Sequence, residues 1–190
     1  MAQIMKETII QTFIEMINEK PFDKITVKDI VEKCGINRNT FYYHFEDIYD
    51  LLHNVFEIRI EELKFKNITY NNWEDISKHS INFILDSKKS ILHIYQSLGT
   101  KEIKHYLDLA ISFGLKQYFD ILFKEYQVKQ EDQDFLILYN THALTGIILE
   151  WIDGGMKEEE MDMYMTLLNK WQDGIFEQRI QDIYKNNGLD

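Results

Sequence analysis

Apolar residues recur every three to four positions along most of the chain, which is the spacing of one face of an α-helix. The first such segment runs from Ile9 to Ile17 and then meets Pro21, which should end it. One proline and eight glycines among 190 residues leave few interruptions. The pattern predicts an all-α protein of about nine helices, and no segment reads convincingly as a strand.

Residues that cap helices divide the N-terminal part of the chain. Thr26 has the chemistry of an N-cap, and Gly35 stands where a helix end favours a left-handed residue. Asn37 can cap the next helix, which we expect to run to about His44. Asp47 can cap a longer one. We therefore predict a three-helix domain over residues 1–47 and a linking helix over residues 47–66.

The rest of the chain, residues 48–190, is predicted to form a second helical domain. An asparagine-rich connector, "NITYNNWED" at 67–75, leads into five further helices, over residues 74–85, 91–98, 100–126, 130–153 and 158–184. The Gly154-Gly155 pair separates the last two. These helices carry no motif that identifies an enzyme.

The stretch "GINRNTFYYHF", residues 35–45, has the chemistry of a DNA-reading helix. Two short helices joined by a glycine-containing turn form a helix-turn-helix candidate, whose second helix enters the major groove. Arg38 can donate two hydrogen bonds to guanine, and Asn39 can pair with adenine. Thr40, Tyr42 and His44 can donate to phosphate oxygens, and Tyr43 can touch phosphate or thymine methyl groups. Phe41 and Phe45, four residues apart, would anchor the helix.

A second interpretation fits the same spacing, because helix-turn-helix patterns are short: an amphipathic helix with a tyrosine-rich surface and no partner. The net charge of -11 also argues against nucleic acid as a partner. The distribution of charge points the other way. Residues 20–45 hold five basic and three acidic side chains, a balance of +2, so the remainder carries -13.

Residues 9–52 resemble the DNA-binding domain of the TetR/AcrR family of transcriptional regulators. The resemblance lies in "IIQTFIEMINEKPFDKITVKDIVEKCGI", followed by "NRNTFYYHF" and "EDIYDLL". It implies that Thr26 and Lys28 contact phosphates, that Arg38, Asn39 and Tyr43 face bases, and that the other polar residues make mixed contacts. The expected DNA-binding set is Thr26, Lys28, Asn37, Arg38, Asn39, Thr40, Tyr42, Tyr43 and His44.

The chain departs from the family pattern at the start of the linking helix. Many family members carry a lysine there that grips the DNA backbone, whereas this chain has Asp47-Ile48. The helix amino end can still face a phosphate, but a nearby carboxylate opposes that contact. Fewer phosphate contacts would make the salt dependence of binding shallower.

The last two predicted helices are apolar enough to form either an intramolecular core or a dimer surface. The resemblance implies pairing with a second copy in a four-helix bundle, and twofold symmetry would place two recognition helices in successive major grooves. The expected dimer residues are Tyr139, Ala143, Ile147, Trp151, Tyr164, Leu168, Trp171 and Ile175. The resemblance also implies a small-molecule pocket, for which the candidate lining residues are Phe83, Tyr95, Tyr106, Phe113, Tyr118, His142 and Trp151. An aromatic residue at helical spacing belongs to the core more often than to a pocket, so each of these residues also fits an ordinary core.

The resulting prediction is a cytoplasmic, homodimeric repressor that a small-molecule effector releases from a double-stranded DNA operator. We expect no cofactor, no metal and no membrane: the histidines are scattered, Cys34 is the single cysteine, and the apolar runs are short. Catalytic motifs are absent from the sequence, so an enzyme is not expected. The alternatives are an activator, a regulator controlled by a protein partner, and a helical ligand carrier or enzyme that keeps the helix-turn-helix as a scaffold.

Overall fold

The computed structural model describes residues 2–65, 73–172 and 174–184, and every regular element in these ranges is helical, as predicted. Lys66, at the end of the predicted linking helix, and residues 67–72 of the predicted connector lie outside the described residues. The last three residues of that connector, 73–75, are helical. The α-helices are α1 (Ala2–Glu19), α2 (Val27–Cys34), α3 (Arg38–His44), α4 (Ile48–Phe65), α5 (Trp73–Asp86), α6 (Lys88–Leu98), α7 (Thr100–Glu125), α8 (Gln130–Asp153), α9 (Glu158–Gln172) and α10 (Ile175–Tyr184), with a 3-10 turn at Phe22–Lys24.

The single helix predicted over residues 158–184 is divided in the structure into α9 and α10. Gly174 stands between them with φ of +70°, a left-handed conformation that ends a helix. The described residues therefore form ten α-helices rather than the nine expected from periodicity.

The helices group into two compact units. The first comprises Met1–Lys66 and Ser87–Tyr106, and the second comprises Asn67–Asp86 and Leu107–Asp190. Helix α6 thus joins the N-terminal helices, where Ser90 Oγ donates to Asn18 Oδ1 at 2.8 Å. The proposed functional division near residue 47 stays a prediction, since these units are defined by packing.

Large apolar side chains fill the core of the first unit. Because α2 and α3 have only eight and seven residues, their stability depends mainly on this shared burial rather than on helix propensity. The residues that it buries almost completely are Ile9, Phe13, Ile17, Phe22, Ile30, Phe41, Phe45 and Leu51.

The second unit has a core of its own around α7. One buried cluster consists of Leu115, Phe119, Phe123, Val128 and Ile180. On α8, Trp151 is fully buried and its indole Nε1 donates to the carbonyl oxygen of Lys157 at 2.7 Å.

Helix α8 is long and apolar enough to cross a membrane by length and composition alone. The individual apolar runs within it are short, so this property arises from its average composition. A core or interface helix of a soluble protein meets the same criterion, so α8 is weak evidence for a membrane span.

Candidate nucleic-acid interface

Helix α2 begins with the predicted cap at Thr26. Thr26 Oγ1 accepts a hydrogen bond from Asp29 N at 3.2 Å, and Asp29 Oδ2 accepts one from Thr26 N at 3.0 Å. This reciprocal pair is a capping box. The hydrogen bond from Thr26 N, assisted by the Lys20 ammonium, lowers the pKa of Asp29. The carboxylate therefore stays ionised at neutral pH, which secures the start of α2.

The turn between α2 and α3 also follows the sequence prediction. Gly35 ends α2 with φ of +69°, and Ile36 N donates to the carbonyl oxygen of Val31. Asn37 then caps α3: its Oδ1 accepts from Thr40 N at 2.9 Å and from Thr40 Oγ1 at 3.2 Å. These bonds fix the entry of α3 before any partner binds.

Replacing Gly35 with alanine should lower the free energy of unfolding by about 1 kcal/mol, because an L-residue is strained at positive φ. A Cβ at this position would meet no atom within 4 Å, so the cost comes from the backbone alone. Urea unfolding measures it. Gly154→Ala is the control, because Gly154 has φ of -70°. An equal loss of stability in both variants would contradict this explanation.

Helix α3 has one buried and one exposed face. Phe41 and Phe45 are buried, with ring centroids 5.7 Å apart. On the other side, Tyr42 is 54% exposed and Tyr43 is 77% exposed. The aromatic residues of this short helix therefore do two things: two of them anchor it, and two are presented to solvent.

Arg38 and Asn39 lie exposed in the first turn of α3. In the part of the chain that the structure describes, Arg38 forms no ion pair and the side-chain amide of Asn39 forms no hydrogen bond. Both retain donors in a geometry that suits the edges of bases. The folding of the first unit thus leaves these two groups available.

The other predicted DNA contacts are partly engaged within the chain. Lys28 is exposed and lies 3.8 Å from Glu32, a weak ion pair that a phosphate can replace. The hydroxyl of Thr40 is bonded to Asn37. His44 is half-buried, and its ring meets that of Tyr43 edge-on at 4.9 Å. Thr26 is exposed beside its cap.

The amino end of α4 is occupied by carboxylates of the chain itself. Asp47 Oδ1 accepts from Tyr49 N at 2.8 Å and from Asp50 N at 2.9 Å. Asp50 Oδ2 accepts from Glu46 N at 2.9 Å. Asp47 is therefore the N-cap that the sequence predicted, and it takes the amide groups that a phosphate would otherwise bind.

Lys6 is a basic residue near α3 that sequence reasoning did not select. Its Nζ lies 5.5 Å from the ring centroid of Phe45, which follows the last turn of α3. The distance suits a cation–π interaction and leaves the ammonium able to meet a phosphate. Only tertiary packing brings α1 beside Phe45, so no sequence signal marked this lysine.

The residues expected to line a pocket are spread over both units. Tyr106 belongs to the first unit, where it stacks on Phe56 at 3.8 Å between ring centroids and contacts His53 Nδ1 through its hydroxyl at 2.6 Å. Burial, with Glu102 and Glu57 nearby, raises the pKa of Tyr106 to about 12. Tyr95 is in the same unit. The other five candidates belong to the second unit. Phe83 and Phe113 are half-buried, and Tyr118 packs against the cluster that contains Phe119. His142 is exposed, and Trp151 is fully buried.

Two adjoining cavities in the second unit have different linings. The first, called the inner cavity because its lining includes the buried residues Leu115, Ile148 and Met161, has a volume of about 80 Å³ and is open to solvent on one side. It is lined almost entirely by carbon, including Ile81, Ala110, Leu144 and Met165. The outer cleft, of about 520 Å³, is polar and includes Glu74, Lys78, Glu158, Asp162 and Asn169. None of the seven aromatic and histidine candidates lines either space.

The expected dimer residues divide between surface and interior. Tyr139, Ala143, Trp171 and Ile175 are exposed. Tyr164 is half-buried, Ile147 and Leu168 face the inner cavity, and Trp151 has no exposed surface in the protomer. Further large apolar side chains are exposed on the same helices: Phe135 and Leu138 on α8, Met163 and Leu167 on α9.

Comparison with protein families gives two matches. Residues 9–55 match the family described as "Bacterial regulatory proteins, tetR family". Residues 71–173, more than half of the chain, match the family described as "Transcriptional regulator C-terminal region". The first match contains the whole of α2 and α3, and the second contains both cavities.

Similar proteins of known role are operon regulators. The activator DhaS of the dhaKLM operon in Lactococcus lactis is 26% identical over 92% of this chain and 93% of its own length. The biofilm operon regulator IcaR of Staphylococcus epidermidis, a negative regulator, is 28% identical over 61% of this chain and 70% of its own length. A solved DhaS structure has a TM-score of 0.70 at 22% identity and covers 90% of this chain and 97% of its own. The structure of a tetR-family regulator from Streptomyces coelicolor has a TM-score of 0.63 at 10% identity. The match covers 96% of this chain and 87% of the regulator's own length.

Proposed function

The chain belongs to the TetR family of bacterial transcriptional regulators, and we propose that it binds its operator through the exposed face of α3. It is a DNA-binding transcriptional regulator of the TetR type. In the proposed complex, Arg38, Asn39 and Tyr43 reach base edges. Tyr42, His44 and Thr40 contact the sugar–phosphate backbone, together with Thr26, Asn37 and Lys28. Lys6 adds a further phosphate contact.

The main support for this assignment is that α3 exposes polar and aromatic side chains that do not contribute to the core of the first unit. Phe41 and Phe45 are buried and anchor the helix, whereas Tyr43 is 77% exposed and Arg38 has no ion-pair partner among the described residues. An exposed arginine and asparagine in the first turn suit direct reading of guanine and adenine.

Equilibrium binding to random-sequence duplex DNA, measured against salt concentration, tests the proposal. The logarithm of the binding constant should fall linearly with the logarithm of salt concentration, because cationic groups displace counterions from phosphates. Tyr42→Ala should weaken binding to all sequences. Weak binding that changes neither with salt concentration nor with Tyr42→Ala would contradict the proposal. It would instead indicate a ligand carrier that keeps the helix-turn-helix as a scaffold.

Introducing a lysine at the start of α4 should strengthen DNA binding. Ile48→Lys places a lysine where the family resemblance expects a phosphate contact, and its charge balances the carboxylate of Asp47. The slope of the salt dependence should steepen by about 0.9 for each added contact, one per protomer. Ile58→Lys, on the same helix, is the control for added charge alone. Equal slopes for the two variants would contradict a phosphate contact at this end of α4.

Regulators of this family bind operators as dimers, and we assign the dimer surface to α8, α9 and α10. Support comes from the exposed apolar residues at helical spacing on α8, namely Phe135, Leu138 and Tyr139. Ala143 and Gly146 are exposed on the same helix and are small enough for close helix approach. The α9 and α10 contribution comprises Met163, Leu167, Trp171 and Ile175.

The second unit is the proposed effector-binding part, and its cavities support that role. In this scheme the effector favours a dimer whose recognition helices are wrongly spaced for the operator, which is a shift between two populations. Helix α4, which corresponds to the predicted linking helix over residues 47–66, is one candidate for transmitting this shift to α3. Helix α7 is a further candidate, because it begins in the first unit and continues into the second.

The protein could regulate its operon either as a repressor or as an activator. Release of a repressor by its effector is the first, and the negative regulator IcaR supports it. Activation is the second, since DhaS, which aligns with nearly the whole chain, is an operon activator. A reporter gene placed behind the operator distinguishes them: its expression rises on deletion of a repressor and falls on deletion of an activator. For a repressor and for an activator alike, we propose that the protein is cytoplasmic and is not an enzyme.

A further inference from the structure

We propose that the effector is a small amphiphilic cation, with a short apolar tail in the inner cavity and a protonated amine in the outer cleft. The inference rests on the proposed effector role of the second unit and adds the chemical class of the ligand. It depends on the lining of the two cavities and on the wall that they share.

The inner cavity favours an apolar group. Its lining consists of aliphatic side chains with two serines, and the hydroxyl of Ser77 already donates to the carbonyl oxygen of Glu74 at 3.0 Å. A polar group placed there would lose its hydration without a matching gain. Its volume of about 80 Å³ is well below the space that a drug-sized ligand needs, so it suits a short alkyl tail.

The outer cleft favours a cation. Glu74 and Lys78 form an ion pair with each other, so they contribute no net charge. Glu158 and Asp162 also line the cleft, and within the described residues neither carboxylate has an ion-pair partner. The cleft therefore carries an excess of negative charge, which attracts an ammonium and repels a carboxylate.

The outer cleft can satisfy more than one donor of an ammonium. Such a group brings three donors, and the carboxylates of Glu158 and Asp162 both line the cleft. Asn169 also lines it, but its Oδ1 is buried from solvent and has no hydrogen-bond partner among the described residues, so a ligand reaches this acceptor only if the side chain turns.

One molecule can occupy both spaces. Ile81, Met161 and Met165 line the inner cavity and also the outer cleft. Methionine side chains are unbranched and adapt to irregular shapes, so a tail can pass between them. The outer cleft, at about 520 Å³, has room for the head group and for substituents on it.

Calorimetric titration of the full-length protein without DNA tests the class of ligand at pH 7. The probes are hexylamine, hexanol and hexanoate, which share a tail and differ in the charge of the head, together with methylamine, which lacks the tail. Hexylamine should bind most tightly, hexanoate most weakly, and methylamine at least tenfold more weakly than hexylamine.

Substitutions in the first turns of α9 then locate the head group. Glu158→Gln and Asp162→Asn should each weaken hexylamine binding by about fivefold and leave hexanol binding unchanged. Glu159→Gln is the matched control, because it removes the same charge one residue away from a position that lines the cleft. It should leave hexylamine binding unchanged.

Three results would overturn the proposal: hexanoate binding as tightly as hexylamine, equal effects of the Glu158 and Glu159 substitutions, or no binding of any probe. DNA binding is measured separately, with and without hexylamine. Loss of ligand binding with intact DNA binding rejects only the ligand class, whereas failure to bind DNA rejects the proposed function. Hexylamine that binds without changing operator affinity would reject its role as an effector.

Discussion

Replacing Arg38 with alanine is expected to weaken binding to the operator by about 1–3 kcal/mol for each half-site, roughly five- to 150-fold. The guanidinium is exposed in the first turn of α3 and is the side chain best suited to hold a guanine through two hydrogen bonds. Binding to random-sequence duplex should weaken much less, because a base contact contributes little there. Fluorescence anisotropy with both duplexes measures the two affinities.

The control for Arg38 is Arg59→Ala, which removes the same charge from α4. Arg59 is partly exposed and pairs with Glu62 at 2.8 Å, so its loss should barely change operator affinity. If Arg38→Ala and Arg59→Ala reduced affinity for operator and random duplex equally, Arg38 would act only through charge, and its assignment as a base reader would be wrong.

Replacing Leu138 with aspartate is expected to convert the dimer to monomers and to reduce operator affinity by up to a thousandfold. Leu138 is 55% exposed in the protomer, so the substitution should cost the isolated chain little. In a twofold dimer it would bury two carboxylates in an apolar surface, which is strongly unfavourable. Loss of the second half-site then removes the gain from bivalent binding. Analytical ultracentrifugation measures the oligomeric state.

Leu109→Asp is the matched control for this dimer variant. Leu109 is 44% exposed on α7, also in the second unit, and lies outside the proposed interface. It should leave both the dimer and operator affinity intact. A Leu138→Asp protein that stays dimeric and binds normally would place the dimer contact elsewhere.

Local chemistry explains why the caps and the turn of the proposed DNA-reading segment were predictable. Thr26, Asn37 and Asp47 cap helices within three residues of themselves, and Gly35 takes the left-handed conformation that its neighbours cannot easily adopt. Such effects depend on short-range hydrogen bonds and backbone sterics, both of which the sequence encodes directly. Lys6 was not predicted as a DNA contact, because its position beside Phe45 depends on packing between residues about forty positions apart in the sequence.

The cavities were not predictable for a related reason. The sequence search favoured aromatic residues, but an aromatic at helical spacing fits a filled core as well as a pocket. Trp151 shows this: it is fully buried and satisfied by Lys157. The lining consists instead of small and flexible residues such as Ala110, Met161 and Met165, which leave space only when particular helices meet. Periodicity identifies the face that is buried and not the volume left behind.

The association of α6 with the first unit likewise depends on tertiary contacts. His93 Nδ1 lies 2.5 Å from the carbonyl oxygen of Ile17, and Ser97 Oγ accepts from Asp23 N at 3.2 Å. Histidine and serine on the surface of a predicted helix carry no signal of such partners. The sequence therefore assigned residues 88–98 to the C-terminal domain simply by their place along the chain.

Selection from a random-sequence duplex library tests most directly that a twofold dimer reads DNA with α3. The account predicts enrichment of an inverted repeat whose half-sites are about 34–36 Å apart, or a multiple of that distance. The same selection with Arg38→Ala should lose preference at one base pair of each half-site and keep the spacing. No enriched sequence, or an enriched sequence that is unchanged in the variant, would contradict the account.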